Sequence, residues 1–227
     1  MLYTRQAAQE NLRNRDGKRV FYLGPSDQLT SDARDWLQGQ RIEILPASQA
    51  RPERWKLLGG GFCEDKPEHM THLDGSTLVP KTHPRIAFRG AMDSLEAELL
   101  LCTQETGEQR LEEILQLART LMRCDVLGEA VPEKPLCGLN ESQLRERSHR
   151  PQDFYGQPHF MPGVGDCRTV LLLNRVRCCA RNAELAAAHA FADREGVPTR
   201  PDILRSLNRM SSMLYLLMIE CKAKKQQ

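Results

Sequence analysis

Asn174-Arg175-Val176-Arg177-Cys178-Cys179-Ala180-Arg181-Asn182-Ala183-Glu184 is the stretch around which the chain is organised, and it lies in a helix predicted over roughly residues 169–191. At helical spacing Asn174, Arg177, Arg181 and Glu184 fall at i, i+3, i+7 and i+10, on one face. Leu172, Val176, Cys179 and Ala183 take the opposite, apolar face. Two arginines and a carboxylate on a helix of buried character fit a site for a polyanion. The same positions also fit a solvated stripe carrying one Arg181–Glu184 pair. Periodicity alone does not separate the two.

A second helix does. Arg200-Pro201-Asp202 opens it, with Pro201 suited to a first helical turn. It continues through Ile203-Leu204-Arg205-Ser206-Leu207-Asn208-Arg209-Met210-Ser211-Ser212 into an apolar run that ends at Ile219. Leu207-Asn208-Arg209-Met210-Ser211-Ser212 resembles the Leu-Asn-Arg-Leu-Ser-Asp element of propanediol-utilisation-type cobalamin adenosyltransferases. Arg177-x-x-x-Arg181-x-x-Glu184 resembles the Arg-x-x-x-Arg-Arg-Ala-Glu element of the same family, in the right order. The ethanolamine-utilisation branch of these corrinoid adenosyltransferases is the better match and covers most of the chain. Thr71-His72-Leu73, Pro84-Arg85, Asp93-Ser94, Gly138-Leu139-Asn140-Glu141, Leu144, Ser148-His149 and Arg200-Pro201-Asp202-Ile203-Leu204 all resemble it.

Composition leans towards helices in a chain of ordinary domain size. The 227 residues are 40% hydrophobic and only 5% aromatic, with abundant Leu, Ala and Met. The 32 basic and 30 acidic residues leave a net charge of +2, too balanced for general nucleic-acid binding. No apolar run approaches the ~20 residues of a membrane span, and the N-terminus lacks the apolar core of a secretory signal. The eight cysteines show no Cys-x-x-Cys spacing and read as reduced thiols of a cytoplasmic protein.

Before the helices the chain is less regular. Residues 1–18 are polar with no core face. Val20-Phe21-Tyr22-Leu23 reads as a short strand, residues 30–38 as a helix capped by Ser31 and stopped by Gly39, and Arg41-Ile42-Glu43-Ile44-Leu45 as a strand ending at Pro46. Residues 1–50 therefore form a small N-terminal αβ segment. Residues 51–80 are a flexible connector and ATP-wrapping segment, in which Gly59-Gly60-Gly61 serves as a link, since no P-loop Lys-Ser/Thr follows. In the ethanolamine branch this region often carries a His followed by Cys-Cys-x-x-Cys, implicated in divalent-metal binding. Here Cys63, His69 and His72 could supply three ligands, but the remaining thiols are missing, and no metal site is expected.

What the family resemblance implies for the site is specific. Met70-Thr71-His72-Leu73-Asp74-Gly75-Ser76-Thr77, with Lys81, resembles the segment that wraps ATP; His72 replaces an arginine, while Thr71 and Lys81 carry over. Hydroxyls, a glycine turn and one lysine can hold a triphosphate and its Mg2+. Asp93 resembles the Asp that pairs, across a subunit boundary, with the arginine matched by Arg177; a local pair with Arg89 at i−4 is the alternative. Phe160, before Pro162-Gly163, is the candidate for the cobalamin's lower face.

The expectation is a mainly α fold: an antiparallel five-helix bundle (about 84–101, 108–127, 140–149, 169–191 and 201–221) in an 81–227 adenosyltransferase domain. A long irregular loop spans 151–166. The resemblance implies an ATP-dependent cob(I)alamin adenosyltransferase making adenosylcobalamin and triphosphate for ethanolamine utilisation. Its substrates would be ATP with Mg2+ and cobalamin, and Arg181, Arg177 and Asp93 would be the catalytic set. Thr71, Lys81, Arg181, Glu184 and Asn208 would bind ATP. A homo-oligomer is expected, with ethanolamine ammonia-lyase or other microcompartment proteins as partners. A corrinoid carrier that delivers adenosylcobalamin and a non-catalytic microcompartment subunit are the alternatives.

Overall fold

The computed structural model describes residues 1–50 and 55–224. It divides into two units, Met1–His83 and Pro84–Gln227. The protein is mainly helical, but the first unit is built on a seven-stranded sheet.

The first unit opens with β1 (Leu2–Tyr3), α1 (Arg5–Glu10), β2 (Arg13–Arg15) and β3 (Lys18–Leu23). Then follow β4 (Gln28–Leu29), α2 (Ser31–Gly39), β5 (Glu43–Pro46), β6 (Trp55–Leu57), β7 (Phe62–Cys63), β8 (Met70–His72) and β9 (Thr77–Pro80). The strands β1 and β4 pair in parallel; the remaining seven lie in the order β5-β3-β2-β7-β6-β9-β8.

Several expectations are corrected here. Residues 1–18 do have a core face: Ala8 and Leu12 are buried with Phe21, Ala33, Leu37 and Ile42. Thr30, not Ser31, caps α2, its hydroxyl accepting from Ala33 N–H at 3.2 Å. The stretch read as a flexible connector carries β6 to β9 of the large sheet; its residues 51–54 lie outside the described residues. The triple glycine is the tight turn between β6 and β7 rather than a link. Gly61 sits at φ +89°, and a Cβ there would stand 2.3 Å from the Leu12 carbonyl oxygen, so only glycine lets the turn seat against that backbone.

The second unit contains α3 (Pro84–Thr106), α4 (Arg110–Leu127), α5 (Glu141–His149), α6 (Pro151–Tyr155), α7 (Arg168–Ala190) and α8 (Pro201–Lys224). Five of these cover the helices expected from sequence; α6 is an additional short turn of helix inside the stretch read as irregular loop. Leu207, Met210, Leu214 and Leu217 of α8 meet Val176, Ala180, Ala183 and Ala187 of α7 in one core, with Phe88, Met92, Leu95 and Leu99 of α3. Small residues on α7 let it pack closely between α3 and α8. The buried stripe of α7 is Val170, Leu173, Val176, Ala180, Ala183 and Ala187, so Leu172 and Cys179 lie at its margin rather than in its centre. Arg168–Glu105 and Arg175–Glu98 ion pairs tie α7 to α3 along the outside.

Helix ends are set locally. Asn140 and Gln143 form a reciprocal capping box on α5, with bonds of 2.9 and 3.0 Å. Asp202 receives the Arg200 guanidinium (2.9 Å) and Val131 N–H (3.0 Å), fixing the start of α8. Asp125, with no exposed surface, receives Arg85 and Arg89 from α3, each at 2.7 Å. Among the described residues no helix is long and apolar enough to cross a membrane.

Candidate functional site

The polar face of α7 and the adjoining face of α8 place four of the expected site residues together. Arg177 turns back along its own helix, donating from Nε (3.2 Å) and Nη2 (2.9 Å) to Asn174 Oδ1. Its guanidinium carbon stands 6.0 Å from the centre of the Tyr215 ring on α8. One turn or more along α7, Glu184 Oε1 accepts from Asn208 Nδ2 at 3.1 Å, joining the two helices. Asn208 Oδ1 in turn accepts from Arg209 Nη2 at 2.5 Å. Arg181 is exposed and has no hydrogen-bonding or ionic partner among the described residues. The solvated Arg181–Glu184 pair, one of the two readings of this face, is therefore not formed: Glu184 is taken by Asn208.

Tyr215 extends the face towards the 156–167 loop, and sequence reading passed it over. Its hydroxyl accepts from Phe160 N–H (3.2 Å), and its ring stacks on Phe160 with centroids 6.2 Å apart. His159 also stacks on Tyr215, at 5.8 Å, and bonds the same hydroxyl through Nδ1 at 3.1 Å. Lys222 Nζ lies 4.2 Å from the Phe160 ring centre. Phe160 is thus half-buried and anchored, and Tyr215 connects it to Arg177. The signal was available, because Asn208, Ser212 and Tyr215 are spaced i, i+4 and i+7 on one helical stripe.

Asp93 does not meet Arg177 within the chain. It is exposed on α3 and has no partner among the described residues, while Arg177 is held by Asn174 and Tyr215. The local alternative fails as well, since Arg89 bonds the buried Asp125 instead of Asp93.

In the first unit, Thr71 is half-buried on β8, paired with Val79 of β9. Lys81 follows β9, exposed, with Nζ 3.2 Å from Glu68 Oε1. Between them Asp74 Oδ1 accepts from Ser76 N (2.9 Å) and Thr77 N (2.8 Å), which closes the polar turn and holds the carboxyl below its usual range. The metal set suggested by Cys63, His69 and His72 does not fit. Cys63 is fully buried with Sγ 2.6 Å from the Asp65 carbonyl, and burial pushes its thiol up, against the thiolate a metal needs. Among the described residues no group of three or more His, Cys, Asp or Glu side chains is placed to hold an ion.

Chemically, an unpaired arginine beside a carboxylate–amide pair suits a ligand with an anionic tail and a hydroxyl- or amine-bearing head. The family model for cobalamin adenosyltransferases matches residues 62–221. The corrinoid adenosyltransferase EutT of Salmonella typhimurium is 34% identical over 209 residues, 91% of this chain and 78% of the relative. EutT of Escherichia coli K12 is 32% identical over 88% of this chain and 76% of its own length. Among solved structures, a variant PduO-type ATP:corrinoid adenosyltransferase from Lactobacillus reuteri, complexed with cobalamin and ATP, superposes with a TM-score of 0.54. It is 21% identical and covers 70% of this chain and 89% of its own, a likeness of fold.

Proposed function

The chain belongs to the cobalamin adenosyltransferase family, and from that premise we propose that it transfers the 5′-deoxyadenosyl group of ATP to the cobalt of cob(I)alamin, releasing triphosphate. The observation that carries this is the α7–α8 face, where an unpaired Arg181 stands beside the bonded Glu184–Asn208 pair. Reduced cobalt is itself the nucleophile, so the corrinoid brings the reactivity. The protein has to hold C5′ in line with it and stabilise the departing triphosphate.

Roles follow from charge and reach. Arg181 neutralises the leaving triphosphate, and the resemblance of their segment assigns Lys81 and Thr71 to the same group, with Mg2+. Glu184 and Asn208 accept and donate at the adenosine end. Phe160, pinned by Tyr215, supplies an apolar wall that keeps a lower axial ligand off cobalt. Arg177 and Asp93 clamp neighbouring subunits: among the described residues neither has an acid–base partner, which a homo-oligomer would supply. The longer helices α3, α4, α5, α7 and α8 act as the antiparallel bundle that carries the reaction. The setting is ethanolamine utilisation in the cytoplasm, within or beside a microcompartment that houses the adenosylcobalamin-dependent lyase. A carrier or scaffold has no use for an unpaired arginine beside an adenosine-type pair, and neither alternative is favoured.

The test mixes the protein with ATP, chemically reduced cobalamin and Mg2+ as sole divalent ion, and follows the corrinoid spectrum. Growth of the alkylcobalt spectrum with stoichiometric triphosphate is expected. Catalysis that appears only with zinc or ferrous iron would restore the metal site, and no alkylation under any of these conditions would sink the assignment.

A further inference from the structure

We propose that Arg209 is a positioning residue for the adenosine end of the site, acting through Asn208 on Glu184; this rests on the adenosyltransferase reading above. Asn208 is exposed, and an exposed amide ordinarily samples several rotamers and both flips. Here both ends are committed. Arg209 Nη2 donates to Oδ1 at 2.5 Å, and Nδ2 donates to Glu184 Oε1 at 3.1 Å. Turning the amide over would set its carbonyl oxygen against the Glu184 carboxylate and its NH2 against a guanidinium. Two charge-assisted bonds would become two repulsions. Arg209 therefore dictates which atom of Asn208 faces Glu184. One Glu184 oxygen is occupied, the other remains to accept from the nucleoside, and the second Nδ2 hydrogen remains to donate.

The state of Arg209 itself supports a directed role. Its Nε and Nη1 are shielded from solvent and have no hydrogen-bond partner, and no carboxylate pairs with it among the described residues. An aliphatic side chain would occupy that place at lower cost to the fold. The bond to Asn208 is the interaction through which the unneutralised charge is expressed. Arg209 also lines a cavity of about 830 Å³ between α4, the 131–139 segment, α5 and α8, together with Leu117, Leu136 and Leu144. A small cation entering from that side can reach the place of the guanidinium.

The experiment is a cycle of Arg209→Met, Asn208→Ala and the double variant, read by ATP titration and by turnover, with inorganic tripolyphosphate as a second ligand. Arg209→Met is expected to weaken ATP binding about tenfold, the worth of one charge-assisted bond. Tripolyphosphate affinity stays unchanged, because the adenosine end alone is disturbed. In the Asn208→Ala background the Arg209 change adds nothing, as required if it acts through that amide. Millimolar guanidinium restores ATP affinity to Arg209→Met but not to the double variant. Additive losses in the cycle, or equal losses for ATP and tripolyphosphate, would overturn the inference and leave Arg209 structural. Should Arg209→Met fail to fold, Arg209→Lys replaces it: lysine keeps the charge but not the fork, so an intermediate loss confined to ATP is expected. A wild-type protein that binds ATP but never alkylates cobalt refutes the proposed function instead, and the binding cycle still decides the role of Arg209.

Discussion

Arg181 is the simplest residue on which to test the site, because none of the described residues depends on it. Exposed and unpartnered, it can be removed without stranding another group. Arg181→Ala should lower turnover on the order of 10²–10³-fold, as loss of one transition-state donor does, while the melting temperature stays put. Unchanged turnover would remove it from the triphosphate. Asp125 is the opposite case. It has no exposed surface and holds Arg85 and Arg89 together, so Asp125→Asn removes the buried carboxylate that both guanidinium groups share and should cost ~3–5 kcal/mol in denaturant unfolding. A loss within a few tenths of a kcal/mol would show that water already serves the arginines. The contrast marks what sequence could supply. The spacing of Arg177, Arg181 and Glu184 is written in the helical period and was legible. That Arg89 reaches across to Asp125 rather than along its helix to Asp93 depends on how α3 packs on α4, which no local pattern encodes.

At the scale of elements, α8 is held at its first turn by an acid that titrates outside the usual range. The Arg200 guanidinium, helped by Val131 N–H, lowers the Asp202 carboxyl to about 2. A depressed acid stabilises the fold above its unfolded value near 3.9, and that contribution disappears as pH falls through about 2. Stability should therefore decline between roughly pH 4 and pH 2, by about 1–2 kcal/mol after allowing for the partial exposure of the pair. Asp202→Asn should flatten that part of the profile and leave the neutral region lower; an unaltered slope would mean other carboxylates carry it. The long helices α3, α4, α7 and α8 were readable because each presents an apolar stripe, with Gly128 stopping α4, and the polar α5 because Asn140 caps it. Of the strands, only β3 and β5 were legible, from the apolar run Val20–Leu23 and the alternation of residues 41–45. The others have two to four residues each, and β2 reads Arg13-Asn14-Arg15, so they carry no apolar pattern. A further local clue was Asp16-Gly17, which turns β2 into β3 with φ +50° and +77° and is a strong hairpin signal.

For the whole molecule, association is tested at Asp93, exposed on α3. The proposed clamp between subunits predicts that Asp93→Asn loosens a homo-oligomer in sedimentation and weakens corrinoid binding, since the arginine it is proposed to neutralise loses its counter-charge. Arg89→Ala, by contrast, should lower the stability of each chain without changing its association, because its partner is Asp125. Equal effects of the two changes would show the clamp to be wrongly assigned. The architecture of the two units also has a kinetic consequence. The sheet closes through the parallel pairing of Arg13 with Phe62 and of Val20 with Glu43, contacts far apart in sequence, whereas α3 and α4 meet across a turn of a few residues. Loop-closure entropy must be met before the sheet gains anything, so the α3–α4 pair should acquire structure first, while the α3–α7 packing, whose ion pairs join residues 63 and 77 apart, waits as the sheet does. Both tryptophans, Trp36 on α2 and Trp55 on β6, belong to the sheet unit. In stopped-flow refolding the far-ultraviolet circular dichroism should recover ahead of the tryptophan fluorescence, and a ribosome-bound chain would carry its β2–β3 hairpin unpaired on one side until Phe62 emerges.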